Sequence, residues 1–362
     1  MKLAGLSLYR YELPLSEPVR LKETTLRHRE GLLVELASDG GVAGWGEAAP
    51  LPGFSHESVD EVARQVRHLA GSMVGRKVTV DPEGGFAREL DAMDLAPSAR
   101  FGFELALWDL YAASSGKALP ELVTRHPRPT VPINALISSL DHAIEETLRA
   151  RAAGYMAVKL KVGGRGVEED VELVRAVRGT LNGDISLRLD ANRAWSFEEP
   201  ERFARGTADL RLEYVEEPLS DPAGLPSLAS TCHLPVALDE SLVFMQPESL
   251  EDHGYARAVV LKPTLLGGIS RTLRFARLAA RHVMRPVISS AYETGVGTSC
   301  LVPSPPGWAT RRCRRGWTRT AGSPKTSSAR VWSWRPAWTS GRCSTGGAGS
   351  STACCAPSGS IR

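Results

Sequence analysis

The 362-residue sequence predicts an α/β protein: an α+β unit over residues 1–128, followed by a (β/α) barrel over 129–299. Seven strand-like runs after residue 130 recur at intervals of about 20–30 residues, each trailed by a helix-length segment, which is the rhythm of a parallel sheet. Before residue 128, short β patterns and helices mix without that rhythm. No G-x-G-x-x-G follows the early strands, which argues against a dinucleotide fold.

In the first unit, "KLAGLSLYRYEL" and "REGLLVELASDGGVAGWGEAAP" read as strands, with a turn at Asp39-Gly40-Gly41. "SHESVDEVARQVRHLAGSMV" has a Ser55 cap candidate and then Ser58. It places Val59, Val62, Val66 and Leu69 on one helical face. "PSARFGFELALWDLYAASSG" reads as a helix stopped by Gly116, and "RHPRPTVP" as the linker. The barrel strands are expected at 131–138, 156–163, 185–192, 212–219, 234–241, 257–264 and 285–293. Among the helices between them, "GVEEDVELVRAVRG" carries a stripe of Val167, Val171, Val174 and Val177.

Charge is distributed unevenly. Residues 1–299 carry a net −7, so they do not attract a polyanion, and residues 300–362 carry +10 with no acid at all. Only Cys232 lies in the body, against Cys300, Cys313, Cys343, Cys354 and Cys355 in the tail. The tail has no paired C-x-x-C spacing, no His and neither helix nor strand period, so a zinc knuckle is not expected. Its composition resembles GC-rich DNA read out of frame. The expectation is a frameshift near residue 300, a disordered tail over 300–362 and a last barrel strand missing or replaced. No apolar run is long enough to span a membrane and no secretion signal is seen, which leaves the cytoplasm as the expected location.

The ionisable residues cluster by position within the strands. In "AVKLKVGG", Lys159 and Lys161 share one face of a strand, because side chains repeat every two residues. Asp190 ends the third strand, Glu216 and Glu217 the fourth, Asp239 and Glu240 the fifth and Lys262 the sixth. Ser289, Ser290 and Glu293 close the seventh. Barrel active sites lie at the C-terminal ends of strands, so these groups are expected at one mouth. One carboxylate after a strand is explained as a cap of the next helix. Three in succession, flanked by lysines, are not.

Convergent carboxylates without His or Cys suit a hard cation, Mg²⁺ with Mn²⁺ as a substitute. Without one, the acids would raise one another's pKa. Lysine is a poor base at its reference pKa of about 10.4, but a nearby cation and desolvation lower it. A Lys base beside Mg²⁺ suits removal of a proton α to a carboxylate; a Schiff-base lysine is the rival role.

With "KLK" at 159–161, "LDAN" at 189–192, "VEEP" at 215–218, "LDES" at 238–241 and "LKPTLLGG" at 261–268, the chain resembles the enolase superfamily, in its muconate-lactonizing-type branch. "GWGEAAPLPGFSHES" and "VISSAYETGVGTS" narrow the likeness, over residues 1 to about 299, to the o-succinylbenzoate synthases. The resemblance implies an N-terminal capping domain, metal ligands Asp190, Glu216 and Asp239, and catalytic lysines Lys161 and Lys262, with Lys159 tuning Lys161. It implies substrate contacts at Asn192, Gly267, Ser289, Ser290, Gly53 and Phe54, and at Arg29 from a 16–29 loop that also holds Arg20. The implied reaction is loss of an α-proton and water from a cyclohexadiene carboxylate through an enediolate, in menaquinone biosynthesis. N-succinyl- or N-acylamino acid racemase on the same scaffold is the alternative, and a catalytically dead frameshifted product a third reading. The expected partner is a small-molecule carboxylate, with no nucleic acid and no membrane; oligomeric state is not readable.

Overall fold

A computed structural model describes residues 1–21, 24–80, 85–127 and 130–300. The 301–362 stretch, and with it the frameshift, disorder and missing-strand expectations, lies outside the described residues. The described chain forms two compact units, Met1–Ala118 with Tyr292–Cys300, and Leu119–Ala291. These limits differ from the boundaries at 128 and 299 read from the sequence.

In the first unit, β1 (Leu3–Leu21), β2 (Thr24–Ser38) and β3 (Ala43–Ala48) make an antiparallel sheet in that order. The Gly-containing turn between β2 and β3 stands where expected, with Gly41 at φ 74°. Strand β1 runs beyond the expected Leu13. After a register break between Pro14 and Val19, the pairs Val19–Leu26, Arg20–Thr25 and Leu21–Thr24 resume the ladder. Pro18 in that break has no N–H to donate, which accounts for the irregularity. Residues 16–21 and 24–29 therefore belong to strands and not to a loop, and residues 22–23 lie outside the described residues.

Helix α1 (Val59–Met73) is capped by Ser58, which exchanges side-chain and backbone hydrogen bonds with Glu61 in a reciprocal box. Ser55, the other cap candidate, instead accepts from the Leu51 N–H at 2.9 Å. Val62, Val66, Leu69 and Met73 are buried, while Val59 at the helix start is only half-buried. After a short α2 (Gly85–Asp91), α3 (Pro97–Ser115) ends at Gly116, φ 65°. It packs directly on β3 because Gly44 and Gly46 leave room. A Cβ on Gly46 would stand 1.9 Å from the Gly102 carbonyl oxygen of α3.

The second unit begins with α4 (Leu119–Val123). A parallel seven-stranded sheet then runs in chain order through β4 (Ala135–Ile137), β5 (Ala157–Lys161), β6 (Ser186–Asp190), β7 (Leu212–Glu216), β8 (Val236–Leu238), β9 (Ala258–Leu261) and β10 (Arg285–Ile288). The connecting helices are α5 (Ala143–Ala152), α6 (Val167–Thr180), α7 (Glu199–Thr207), α8 (Leu225–Cys232), α9 (Pro263–Leu266) and α10 (Ile269–Arg281). Between β8 and β9 the chain makes 3₁₀ turns, Glu240–Phe244 and Pro247–His253, in place of a helix. Among the described residues β4 and β10 are the edges of a curled half-barrel. No described helix is long and apolar enough to cross a membrane.

On α6, Val167, Val174 and Val177 are buried and Val171 is half-buried. Asp170, one residue from the apolar stripe, is fully buried and accepts the Gly163 N–H at 2.7 Å. The last described helix, α11 (Gly295–Thr298), belongs to the first unit.

Candidate active site

In a parallel sheet every strand ends on the same side, so position along the strand decides which side chains gather. Asp190 and Glu216 are the last residues of β6 and β7 and pair across the strands in register; Lys161, the last of β5, pairs with Asp190. Asp239 follows β8, Lys262 follows β9 and Ser289 follows β10. The strands' period of two turns Lys159 to the same side as Lys161.

The side chains join in a charged network. Lys159 Nζ donates to Glu216 Oε2 and lies 2.8 Å from Asp190 Oδ2. Lys262 Nζ donates to Asp239 Oδ2 at 2.5 Å. Asn192 donates through Nδ2 to Asp190 Oδ1 at 2.7 Å. All three acids are buried, Glu216 at 1% exposure. Burial, with Asp190 and Asp239 nearby, pushes the Glu216 carboxyl up to about 8 despite Lys159. Asp190 moves the other way: burial raises it, but the charges of Lys159, Lys262 and Lys161 outweigh burial and hold it below the usual range. Elevation by neighbouring acids thus adds to burial at Glu216, while at Asp190 lysine charge outweighs burial. Burial pulls Lys159 down, and the charges of Asp190, Glu216 and Asp239 more than restore it. Unlike its neighbours, Lys161 makes no ion pair or hydrogen bond through its ammonium group among the described residues.

The remaining candidates are more scattered. Gly267 ends α9 in a left-handed conformation, φ 83°, and Ser289 donates its N–H to Leu261 O at 2.9 Å. Ser290, next to it, is exposed. Gly53, φ 81°, and Phe54 form a turn in the first unit, closed by the Phe54 N–H on Leu51 O at 3.0 Å. Arg29, also in the first unit, is 1% exposed, and its guanidinium donates to the carbonyls of Glu30, Ala49, Pro50 and Tyr292. Glu217 is the second acid of the pair expected at the end of the fourth strand. It is fully buried and bonds to Arg193, Asp239 and Ser241. Its place after Glu216 was the only signal in the sequence.

Residues 3–110 match the family described as "MenC, N-terminal domain", and residues 142–305 the family described as "Enolase C-terminal domain-like". The chain is 32% identical over 307 residues to an o-succinylbenzoate synthase of Vibrio cholerae, covering 82% of this chain and 83% of that protein. It is 31% identical over 322 residues to Protein PHYLLO, chloroplastic, of Arabidopsis thaliana, covering 82% of this chain but only 19% of that much longer protein. The crystal structure of muconate lactonizing enzyme from Pseudomonas fluorescens, in complex with muconolactone, shares the fold. Its TM-score is 0.75 at 24% identity, covering 85% of this chain and 86% of that one. Motifs, fold and relatives agree, and the chain belongs to the enolase superfamily, among its o-succinylbenzoate synthase-like members.

Proposed function

We propose that the chain is a metal-dependent dehydratase of the o-succinylbenzoate synthase type, acting on a cyclohexadiene carboxylate. The observation that carries the reading is the row Lys161, Asp190, Glu216, Asp239, Lys262 on five consecutive strand ends, with an ammonium group on each side of three acids. Among the described residues, no three carboxylate, imidazole or thiolate side chains are drawn together in a metal-holding arrangement. Lys159 and Lys262 take up oxygens of the three acids instead. The donor chemistry still fits a hard cation, being all carboxylate. Mg²⁺, or Mn²⁺ in its place, held by Asp190, Glu216 and Asp239 would supply positive charge opposite the substrate carboxylate.

Lys161 is the base that removes the proton α to that carboxylate, and its freedom from ion pairs supports the role. Lys262, which burial pulls down and Asp239 with Glu240 more than restores, stays protonated and sets its charge against the resulting anion. Protonated Lys161 then gives its proton to the departing hydroxyl, which leaves as water, and the ring becomes aromatic. Lys159 sets the charge around Lys161. Asn192, Gly267, Ser289 and Ser290 are the proposed substrate contacts in the barrel unit. The Arg29 guanidinium donates to four main-chain carbonyls of the first unit, which fixes its position there.

The test offers the purified chain a cyclohexadiene carboxylate and, separately, N-succinyl amino acids, each with Mg²⁺ and with a chelator. Dehydration that disappears on chelation is expected. Racemisation without dehydration would replace the substrate reading, and turnover that survives chelation would remove the metal.

A further inference from the structure

We propose that Glu217, acting with Arg193 and Ser241, is a positioning strap that sets the spacing of the three carboxylates Asp190, Glu216 and Asp239. The inference rests on the metal-centre reading above and assigns Glu217 no part in the reaction itself.

Glu217 Oε1 accepts the main-chain N–H groups of Asp239 at 2.9 Å and Ser241 at 2.8 Å. Its Oε2 accepts from Ser241 Oγ at 2.9 Å and Arg193 Nε at 3.1 Å. Arg193 Nη2 donates to Ser241 Oγ at 2.9 Å, which closes the triangle. Main-chain bonds run alongside, from Arg193 N to Glu217 O at 2.7 Å and from Glu217 N to Ala237 O at 3.0 Å. One fully buried carboxylate therefore ties together the segments that follow β6, β7 and β8. These segments carry the three acids: Asp190 lies three residues before Arg193, Glu216 is adjacent, and Asp239 is gripped by its own N–H.

The backbone at these points is unusual. Arg193 and Glu217 have φ of 60° and 37°, a left-handed conformation uncommon in residues other than Gly, Asn and Asp, and Asn192 beside them has φ of 47°. The strap is the restraint present at that place. Both Glu217 oxygens are occupied by donors, so it does not compete with Glu216 as a ligand. A buried carboxylate whose acceptors are all used for orientation is how ligand-bearing loops are kept in register.

The experiment measures Mn²⁺ affinity of the full chain without substrate, by electron paramagnetic resonance of the free ion, in wild type, Glu217→Gln and Ser241→Ala. Whichever way a glutamine amide turns, one of its N–H groups meets the Asp239 N–H or the Arg193 Nε–H. The expected result is Mn²⁺ binding weakened about ten- to a hundredfold in Glu217→Gln, and less in Ser241→Ala, with wild-type circular dichroism. Wild-type Mn²⁺ affinity in Glu217→Gln, with only a lowered melting temperature in chelator, would overturn the inference and leave the strap a mere support of the fold. Should Glu217→Gln not fold, unchanged affinity in Ser241→Ala overturns it equally. A wild-type chain that binds no Mn²⁺ would instead overturn the metal reading, and this inference with it.

Discussion

Lys159 and Lys161 stand two residues apart on one face of β5, yet their surroundings differ. Lys159 is locked between Asp190 and Glu216 and stays protonated. Lys161 is unpaired among the described residues, which is what a base needs. Lys161→Ala should lower turnover by about 10²–10⁴-fold, the range for loss of a general base, and should also stop α-proton exchange with D₂O. NMR of recovered substrate reads the exchange; native-rate exchange in the variant would move the base role to another group.

At the level of elements, close contact between α3 and β3 rests on missing side chains. Gly44 and Gly46 alternate onto one face of β3, and both would drive a Cβ into the α3 backbone, at 2.2 Å from Leu110 N and 1.9 Å from Gly102 O. Backbone cannot swing aside as a flexible side chain does. Gly46→Ala should therefore destabilise the first unit by about 1–3 kcal/mol or more, the cost of overpacking. Urea unfolding followed by Trp108, which is buried on α3, would measure it; an unchanged midpoint would mean that the sheet and helix separate freely.

Across the whole molecule, the first unit is completed by residues from the far end of the described chain. Glu47 on β3 accepts from Thr294 N at 2.9 Å, from Thr294 Oγ1 and Tyr11 Oη at 2.5 Å, and from Gly297 N at 2.8 Å. Burial pushes the Glu47 carboxyl up, and the hydrogen bonds from Thr294 and Tyr11 only partly offset it. An acid whose folded pKa is raised binds its proton more tightly folded than unfolded. Its contribution to stability is greatest below the unfolded value and declines as pH rises from about 4.5 through the folded pKa. The stability of wild type relative to Glu47→Gln should therefore fall with rising pH above about 4.5, on top of a constant offset from altered hydrogen bonding. Chemical denaturation of both proteins across that range tests the sign, and a difference that grows with pH would refute the assignment.

Much of the barrel unit was legible in the sequence, because strand periodicity and strand ends are local properties. Two lysines in "KLK" must share a face wherever the strand goes, and acids ending successive parallel strands must emerge on the same side. The row from Lys161 to Lys262 follows from those two facts, and Gly116 stopping α3 and the Gly41 turn are equally local. Other features depended on partners distant in the chain. That Arg29 grips four carbonyls is set by which backbone passes it, including that of Tyr292, 263 residues away. The extension of β1 past Pro14 needed β2 as a template, since no periodicity marks "SEPVRL" as a strand. Glu216 and Glu217 are chemically identical neighbours. A left-handed turn sends one to Lys159 and the other to Arg193 and Ser241. Sequence alone determined which side chains alternate and which strand ends carry charge. The tertiary structure decided which buried carboxylate meets a lysine and which meets the backbone, because that depends on donors from strands that only folding brings alongside.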